Sequence, residues 1–151
     1  LWMVSLILSE LYRNWKMQKL VEEFHKKYNL SINLNNLGLL EKDDISVREK
    51  LIQEETQEVL NALVDLGEIL NSSDASIDER GLAHADFLKE LCDLVYVVLG
   101  TAVAFGYNFE DAFKAVHESN MTKNGGTSNE GKLTKGSAYV KPDILSYIFQ
   151  E

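Results

Sequence analysis

The sequence predicts an all-α domain built as a four-helix-type bundle. Its 151 residues include a single proline, Pro142, so the residue that most strongly breaks helices is nearly absent. Apolar residues recur at helical spacing over long segments, and no two segments alternate in the way that paired strands do. A chain of this length that is 45% hydrophobic can bury a core of its own.

The first half of the chain carries signals for two helices. One is expected over about residues 4–28, followed by a polar connector rich in asparagine. Ser46 and Glu49 form a capping-box pattern. This pattern predicts that a long amphipathic helix begins at Ser46, and the polar residues from Asn71 onward predict its end.

The second half carries signals for two more helices. Ser76 and Glu79 repeat the capping-box pattern and predict a second long helix, which ends before Gly106. This helix is apolar nearly all round, so we expect it at the centre of the bundle. A fourth helix is expected over about residues 108–119.

The two ends of the chain are expected to differ from the bundle. Residues 122–136 are rich in Gly, Ser, Thr, Asn and Lys and predict an irregular surface segment, with a short helix at about 143–149. Residues 1–16 are expected to form an N-terminal helical extension. Residues 17–151 are then expected to form one domain.

Charge and composition exclude several classes of partner. The net charge of −9 argues against a surface that binds a nucleic acid polymer. The apolar start, residues 1–8, is far shorter than the roughly 20 residues that a bilayer requires, so no membrane association is expected. The chain has one cysteine, Cys92, which cannot form a disulfide within the chain and is consistent with the cytoplasm.

Two acidic motifs stand within the predicted long helices. The first is Glu54-Glu55-x-x-Glu58 and the second is Glu90-x-x-Asp93. Residues three apart share a helix face, so two antiparallel helices could bring these carboxylates together. Carboxylates among apolar residues are costly unless a partner compensates them. Oxygen ligands alone favour Mg²⁺ or Mn²⁺ over zinc or copper, and a metal-dependent enzyme is therefore expected.

Other interpretations of the acidic residues remain open. Di-iron carboxylate bundles use Glu-x-x-His, and this chain has that spacing at Glu22 and His25, but neither acidic motif carries a histidine at the matching step. The acids could also be solvated surface residues, although two such motifs on consecutive helices make this less favourable. A helical binding module with a degenerate metal site is a third alternative.

The order of motifs resembles the all-α nucleotide pyrophosphohydrolase superfamily, which includes MazG, dimeric dUTPases and phosphoribosyl-ATP pyrophosphohydrolase. The resemblance covers about residues 21–144 and looks closest to the MazG-like branch described as phosphoribosyl-ATP pyrophosphohydrolase-like. Behind the acidic motifs it rests on the segment HESNMTK at 117–123, Gly131-Lys132, Lys135-Gly136, Tyr139 and Pro142-Asp143.

The resemblance implies a role for each residue of the motifs. Glu54 matches the acid proposed to orient or deprotonate water. The implied metal ligands, for Mg²⁺ with Mn²⁺ as a substitute, are Glu55, Glu58, Glu90 and Asp93. The implied substrate-binding residues are Asn120, Lys123, Lys135 and Tyr139, and His25 joins them because its helix could line the base pocket.

The expected function is Mg²⁺-dependent hydrolysis of a nucleoside triphosphate, either a (d)NTP or a related nucleotide, to a monophosphate and pyrophosphate. The alternative within the same superfamily is the phosphoribosyl-ATP pyrophosphohydrolase of histidine biosynthesis. Because an apolar central helix in so small a domain needs cover on all sides, we expect a homodimer or a dimer of dimers.

Overall fold

The computed structural model describes residues 16–33 and 42–148, with the side chains of residues 42 and 43 left out. Within these ranges the chain is helical and has no strand, and an isolated bridge pairs Thr127 with Leu133. The predicted all-α fold is confirmed. The predicted extension lies outside the described residues, except for Lys16. The helices are α1 (Met17–Lys27), α2 (Lys42–Asn71), α3 (Ile77–Phe105), α4 (Phe109–Asn120) and a short 3₁₀ helix (Leu145–Tyr147).

The two long helices, α2 and α3, form an antiparallel hairpin that dominates the packing of the described residues. The capping box predicted before α3 is present. The hydroxyl of Ser76 accepts a hydrogen bond from the Glu79 backbone N–H at 3.2 Å, and the Glu79 carboxylate accepts one from the Ser76 N–H at 2.7 Å. The Ser76 hydroxyl also donates to the Glu79 carboxylate at 2.7 Å, and this bond together with that from the Ser76 N–H lowers the pKa of Glu79. Gly106 ends α3 in the left-handed conformation, with φ of 74°, as glycine commonly does.

Helix α2 begins at Lys42, so the prediction that Ser46 and Glu49 cap its start is wrong. Asp44 falls in the first turn of the helix, where an acidic residue interacts favourably with the helix dipole, and its carboxylate accepts a hydrogen bond from the Ser31 hydroxyl at 2.7 Å. Ser46 therefore lies beyond the first turn. At that position the backbone amide already bonds to the carbonyl four residues before it.

Arg80 stabilises the turn between α2 and α3 through hydrogen bonds to the backbone. Its guanidinium donates to three backbone carbonyls, those of Leu70 at 3.1 Å, Ser72 at 2.8 Å and Ala75 at 3.2 Å. These oxygens lie at and beyond the end of α2, where a cation also favours the helix dipole.

We expect Arg80→Ala to lower the free energy of unfolding by about 1–3 kcal/mol, because carbonyl oxygens lose a charged donor. Urea denaturation monitored by circular dichroism measures this change. Arg80→Lys keeps the charge but cannot donate to three carbonyls in the same geometry. Its free energy of unfolding should therefore lie between those of the wild type and Arg80→Ala. An unchanged urea midpoint for Arg80→Ala would show that the turn does not depend on this side chain.

Helix α1 packs against the C-terminal half of α3 and closes the small core of the domain. Val21 of α1 and Leu99 and Val103 of α3 are buried there, with Ile32 and Phe109 packed against them. Helix α3 thus contacts both α1 and α2, which confirms its predicted central position.

Gln18 of α1 fixes the start of α4. Its amide nitrogen donates to the Tyr107 carbonyl at 2.6 Å, and its amide oxygen accepts from the Phe109 N–H at 3.0 Å. Lys16 also pairs with Glu110 at 3.3 Å. The beginning of α4 is therefore held against the core.

Candidate active site

Carboxylates from α2 and α3 meet midway along the hairpin. One oxygen each from Glu55, Glu58 and Glu90 lies within 4.8 Å of the other two. Glu55 and Glu58 stand one turn apart on α2, and Glu90 faces them from α3, so the helical repeat and the hairpin together create the cluster. We call these three residues the acidic centre.

The Glu55 carboxylate lies among other negative charges in the acidic centre. One oxygen of Glu55 is buried and has no hydrogen-bond partner. Burial raises the pKa of Glu55, and so does repulsion from Glu58, Asp93, Glu54 and Glu90. A buried carboxylate oxygen without a partner is costly, and a cation at this position would compensate it.

When no metal is present, protonation of Glu55 makes the folded protein more stable as pH falls. Because its pKa is raised on folding, the folded chain binds this proton more readily than the unfolded chain does. Between the ordinary glutamate pKa of 4.5 and the raised pKa, stability therefore increases as pH falls, and the destabilisation is complete above the raised pKa. The lowered pKa of Glu79 acts in the opposite direction, below the ordinary value of 4.5.

We therefore expect the difference in unfolding free energy between the wild type and Glu55→Gln to shrink as pH falls from about 7 to about 5. Urea denaturation of both proteins in EDTA measures it. The matched control is Glu68→Gln, an exposed acid on the same helix, which should show no such trend. A pH-independent difference for Glu55→Gln would contradict the assignment.

Lys89 is a residue of the site that the sequence analysis missed. Its ammonium lies 3.0 and 3.2 Å from the two oxygens of Glu90 and 2.9 Å from Asp93. Hydrogen bonds to Asp93 and Glu90 raise the pKa of Lys89. Asp93, one of the four predicted ligands, thus shares the Lys89 ammonium with Glu90, and its role as a metal ligand stays a prediction. The four-residue spacing of Lys89 and Asp93 was the sequence signal for this ion pair.

A groove of about 520 Å³ begins at Glu58 and Glu90 and follows the hairpin toward its turn. Its volume is typical of pockets that hold small molecules. Five of its lining residues are acidic, and a highly anionic ligand could enter only together with cations. Besides Glu58 and Glu90 the lining comprises Asn61, Ala62, Asp65, Leu66, Ile69, Glu79, Leu82, Ala83 and Asp86.

Four of the predicted substrate-binding residues lie at the far end of α4 and in the segment after it. The ammonium of Lys135 lies 4.7 Å from the centroid of the Tyr139 ring. A hydrogen bond with Ser119 lowers the pKa of Tyr139, as do the charges of Lys135 and Lys123. Asn120 ends α4, and its carbonyl accepts from the Lys123 N–H at 3.1 Å. We call Asn120, Lys123, Lys135 and Tyr139 the lysine cluster.

The segment after α4 folds back to build the lysine cluster. The hydroxyl of buried Ser119 donates to the Val140 carbonyl at 2.6 Å, and Thr122 accepts from the Val140 N–H at 2.8 Å. Residues 125–134 are joined by backbone hydrogen bonds between Gly125 and Thr134 and between Thr134 and Gly126. This segment was predicted to be irregular, and it has no regular element, but its hydrogen bonds give it a defined path.

A family model described as phosphoribosyl-ATP pyrophosphohydrolase matches residues 21–120. The chain belongs to this family. It is therefore an all-α, MazG-like nucleotide pyrophosphohydrolase, a hydrolase acting on phosphoric anhydrides. None of the curated proteins compared with the chain matches it.

The matched span contains the whole acidic centre and ends at Asn120, so the other residues of the lysine cluster lie beyond it. Members of the family generally use a divalent metal. Glu55, Glu58 and Glu90 fit such an ion, since their oxygens converge and one oxygen of Glu55 is buried without a partner.

His25, predicted to contact substrate, lies in the core of this pyrophosphohydrolase. It is only 2% exposed, and its Nδ1 is 2.8 Å from the Ser31 carbonyl. On its other side it approaches Gly100 and the buried guanidinium of Arg48. His25 does not line the groove, and its contact with substrate stays a prediction.

The two clusters belong to different parts of the fold. The acidic centre lies on the hairpin, whereas α4, which carries the lysine cluster, packs mainly against the 3₁₀ helix and makes at most slight contact with α2 or α3. Among the described residues, no helix combines the length and the apolar character needed to cross a membrane.

Proposed function

We propose that the chain is a Mg²⁺-dependent nucleoside triphosphate pyrophosphohydrolase that converts a (d)NTP or a related nucleotide, with water, to the monophosphate and pyrophosphate. The observation that carries this proposal is the convergence of Glu55, Glu58 and Glu90 within 4.8 Å at the mouth of the groove. A donor set made only of carboxylate oxygens suits Mg²⁺, with Mn²⁺ as a substitute. Asp93, one turn beyond Glu90, is the proposed fourth ligand.

The proposed reaction divides its tasks among side chains. When bound, Mg²⁺ neutralises phosphate charge and makes water a better nucleophile. Glu54, exposed and adjacent to Glu55, would accept a proton from the attacking water. Attack at the α-phosphorus breaks the anhydride bond between the α- and β-phosphates. The water oxygen stays on the monophosphate, and pyrophosphate leaves.

The lysine cluster is proposed to bind the phosphates of the substrate. Lys123 and Lys135 supply positive charge that the groove lacks, and lysine binds phosphate as a compact point charge. The contact of Lys135 with the Tyr139 ring and the hydrogen bond between Tyr139 and Ser119 hold the cluster at one place on α4. These contacts support the proposal because they gather the four residues before any ligand is bound.

A panel of nucleotides incubated with the protein and Mg²⁺ tests the proposed activity. Pyrophosphate and a nucleoside monophosphate are the expected products for at least one triphosphate. Orthophosphate as the primary product would contradict attack at the α-phosphorus. Full activity in EDTA would contradict the metal requirement.

The family match supports a second candidate substrate equally well. Phosphoribosyl-ATP, the substrate in the family's description, contains the same type of anhydride bond. It therefore belongs in the same panel. If kcat/KM for phosphoribosyl-ATP exceeds that for every triphosphate, the biosynthetic assignment replaces the (d)NTP assignment.

We also propose that the enzyme is a homodimer, or a dimer of dimers, joined through the side of the hairpin opposite the groove. Large apolar residues are exposed on this side, including Leu63 (48%) and Leu88 (61%). Their helical phase places them on the flank away from Glu58 and Glu90. The stripe comprises Leu60, Leu63 and Val64 of α2 and Leu88, Leu91 and Val95 of α3.

A second copy is the occupant that fits this stripe. The groove side carries five carboxylates and would repel another copy of a chain with net charge −9, whereas the apolar side would not. Two hairpins that meet along their apolar sides would form a four-helix arrangement in which the same surface of each copy is used.

We expect Leu63→Glu to convert the dimer into monomers, because it places a charge within the apolar contact. Light scattering coupled to size exclusion measures the mass. Leu133→Glu is the matched control, since it makes the same change at a leucine of equal exposure (48%) that lies outside the hairpin. A wild-type protein that is already monomeric at micromolar concentration would contradict the dimer.

A further inference from the structure

The ammonium of Lys89 already binds one carboxylate of the acidic centre, that of Glu90. It contacts both oxygens of Glu90, at 3.0 and 3.2 Å. A divalent ion held with Glu55 and Glu58 needs at least one of these oxygens. The ammonium and the divalent ion would therefore compete for Glu90.

The same ammonium accounts for the position of Asp93. The Asp93 carboxylate pairs with Lys89 at 2.9 Å, whereas the three convergent oxygens come from Glu55, Glu58 and Glu90. Lys89 is 63% exposed, so its ammonium can move into solvent without breaking core packing. The Glu90 side chain is mostly covered.

We propose that Lys89 is the counter-cation of the acidic centre before a divalent ion binds, and that the ion displaces its ammonium and releases Asp93 as a fourth ligand. This inference rests on the metal centre of the proposed function. It assigns Lys89 a role in setting the affinity for the ion, since the ion pairs with Glu90 and Asp93 must break before the metal site is complete.

Binding of Mn²⁺ without nucleotide, measured by titration calorimetry, tests the competition. Lys89→Met removes the charge at similar length, and we expect Mn²⁺ to bind it about tenfold more tightly than the wild type. Lys114→Met is the matched control, because Lys114 is an exposed lysine with an i,i+4 acidic partner, Glu118, outside the site. Its Mn²⁺ affinity should equal that of the wild type.

The failures of this inference and of the proposed function are distinguishable. Equal or weaker Mn²⁺ binding by Lys89→Met would show that Lys89 is an ordinary surface ion pair and would overturn the inference alone. No Mn²⁺ binding by the wild type or by either variant would remove the metal centre itself, and the inference with it.

Tighter binding could also arise from charge alone, without any movement of Lys89, so a second measurement follows the ammonium directly. The ¹⁵Nζ resonance of Lys89 is assigned by its loss in Lys89→Met, and Mg²⁺ is added because it is diamagnetic. We expect this resonance to shift and broaden toward that of a solvated ammonium as Mg²⁺ binds, while the Lys114 resonance stays unchanged. A Lys89 resonance that is unmoved at saturating Mg²⁺ would overturn the displacement.

Discussion

Replacing Glu58 with alanine is expected to lower the rate of pyrophosphate release by on the order of 10³-fold or more, because the variant loses a charged ligand at the centre of the proposed site. Glu58 is one of three residues whose oxygens converge, and it also lines the groove. In the proposed site its carboxylate would therefore face both the metal ion and the substrate. The measurement is kcat for the best substrate of the nucleotide panel at saturating Mg²⁺.

Stability separates this loss of activity from a loss of structure. Glu58 raises the pKa of Glu55 by repulsion, so its removal should stabilise the metal-free protein while it abolishes activity. Urea denaturation in EDTA should thus show a midpoint at or above that of the wild type. Glu68→Ala, on an exposed part of the same helix, should leave both activity and stability near wild type. A Glu58→Ala protein that keeps its activity would remove the acidic centre from the mechanism.

Replacing Lys123 with methionine is expected to lower kcat/KM for a nucleoside triphosphate by about 10- to 100-fold, the loss typical of a hydrogen bond to a charged group. The Lys135 ammonium lies over the Tyr139 ring, and the charges of Lys135 and Lys123 both lower the pKa of Tyr139. Lys123 lies three residues beyond Asn120, at the end of α4, and the hydrogen bonds of Ser119 and Thr122 hold this segment in position.

Lys132 provides the control for Lys123. It is an exposed lysine in the same C-terminal segment, and Lys132→Met makes the same change in net charge. Steady-state kinetics of both variants should show a large decrease in kcat/KM for Lys123→Met and little change for Lys132→Met. Equal decreases would mean that only the overall charge of the segment matters and that the lysine cluster is not a specific phosphate site.

Local sequence signals predicted a helix end correctly where a single signal determined that end. The capping box at Ser76 and the glycine at 106 fixed the ends of α3, because the hydrogen bonds at these positions are made within one turn. The same pattern at Ser46 does not mark a helix start. Acidic residues upstream of Ser46 favour an earlier start of the helix, and the capping-box pattern takes no account of them.

The acidic centre was accessible to sequence analysis because helical periodicity places Glu55 and Glu58 on one face and a hairpin brings Glu90 opposite. The position of Asp93 was not, since it depends on a neighbouring side chain, Lys89, rather than on spacing along the helix. The apolar surface of α3 was expected to need cover from a partner subunit. Leu88 and Val95 are exposed in the single chain, and the second copy that would cover them stays a prediction.

The relation between the acidic centre and the lysine cluster could not be predicted from sequence. Motif order places Glu90 and Lys123 in one family pattern, but the path of α4 depends on tertiary contacts such as those of Gln18 with Tyr107 and Phe109. These contacts fix only the beginning of the helix. Neither the spacing of the motifs nor the start of α4 determines where Lys123 lies relative to the acidic centre. The kinetics of Lys123→Met therefore test whether Lys123 contacts the substrate.

Hydrolysis in H₂¹⁸O with Mg²⁺ tests the central claim most directly, because it shows which phosphorus the water attacks. For the best triphosphate of the panel, we expect ¹⁸O in the nucleoside monophosphate, unlabelled pyrophosphate, and no reaction in EDTA or with Glu58→Ala. Label in pyrophosphate or in orthophosphate, or a reaction that continues in EDTA, would contradict a metal-dependent pyrophosphohydrolase acting at the α-phosphorus.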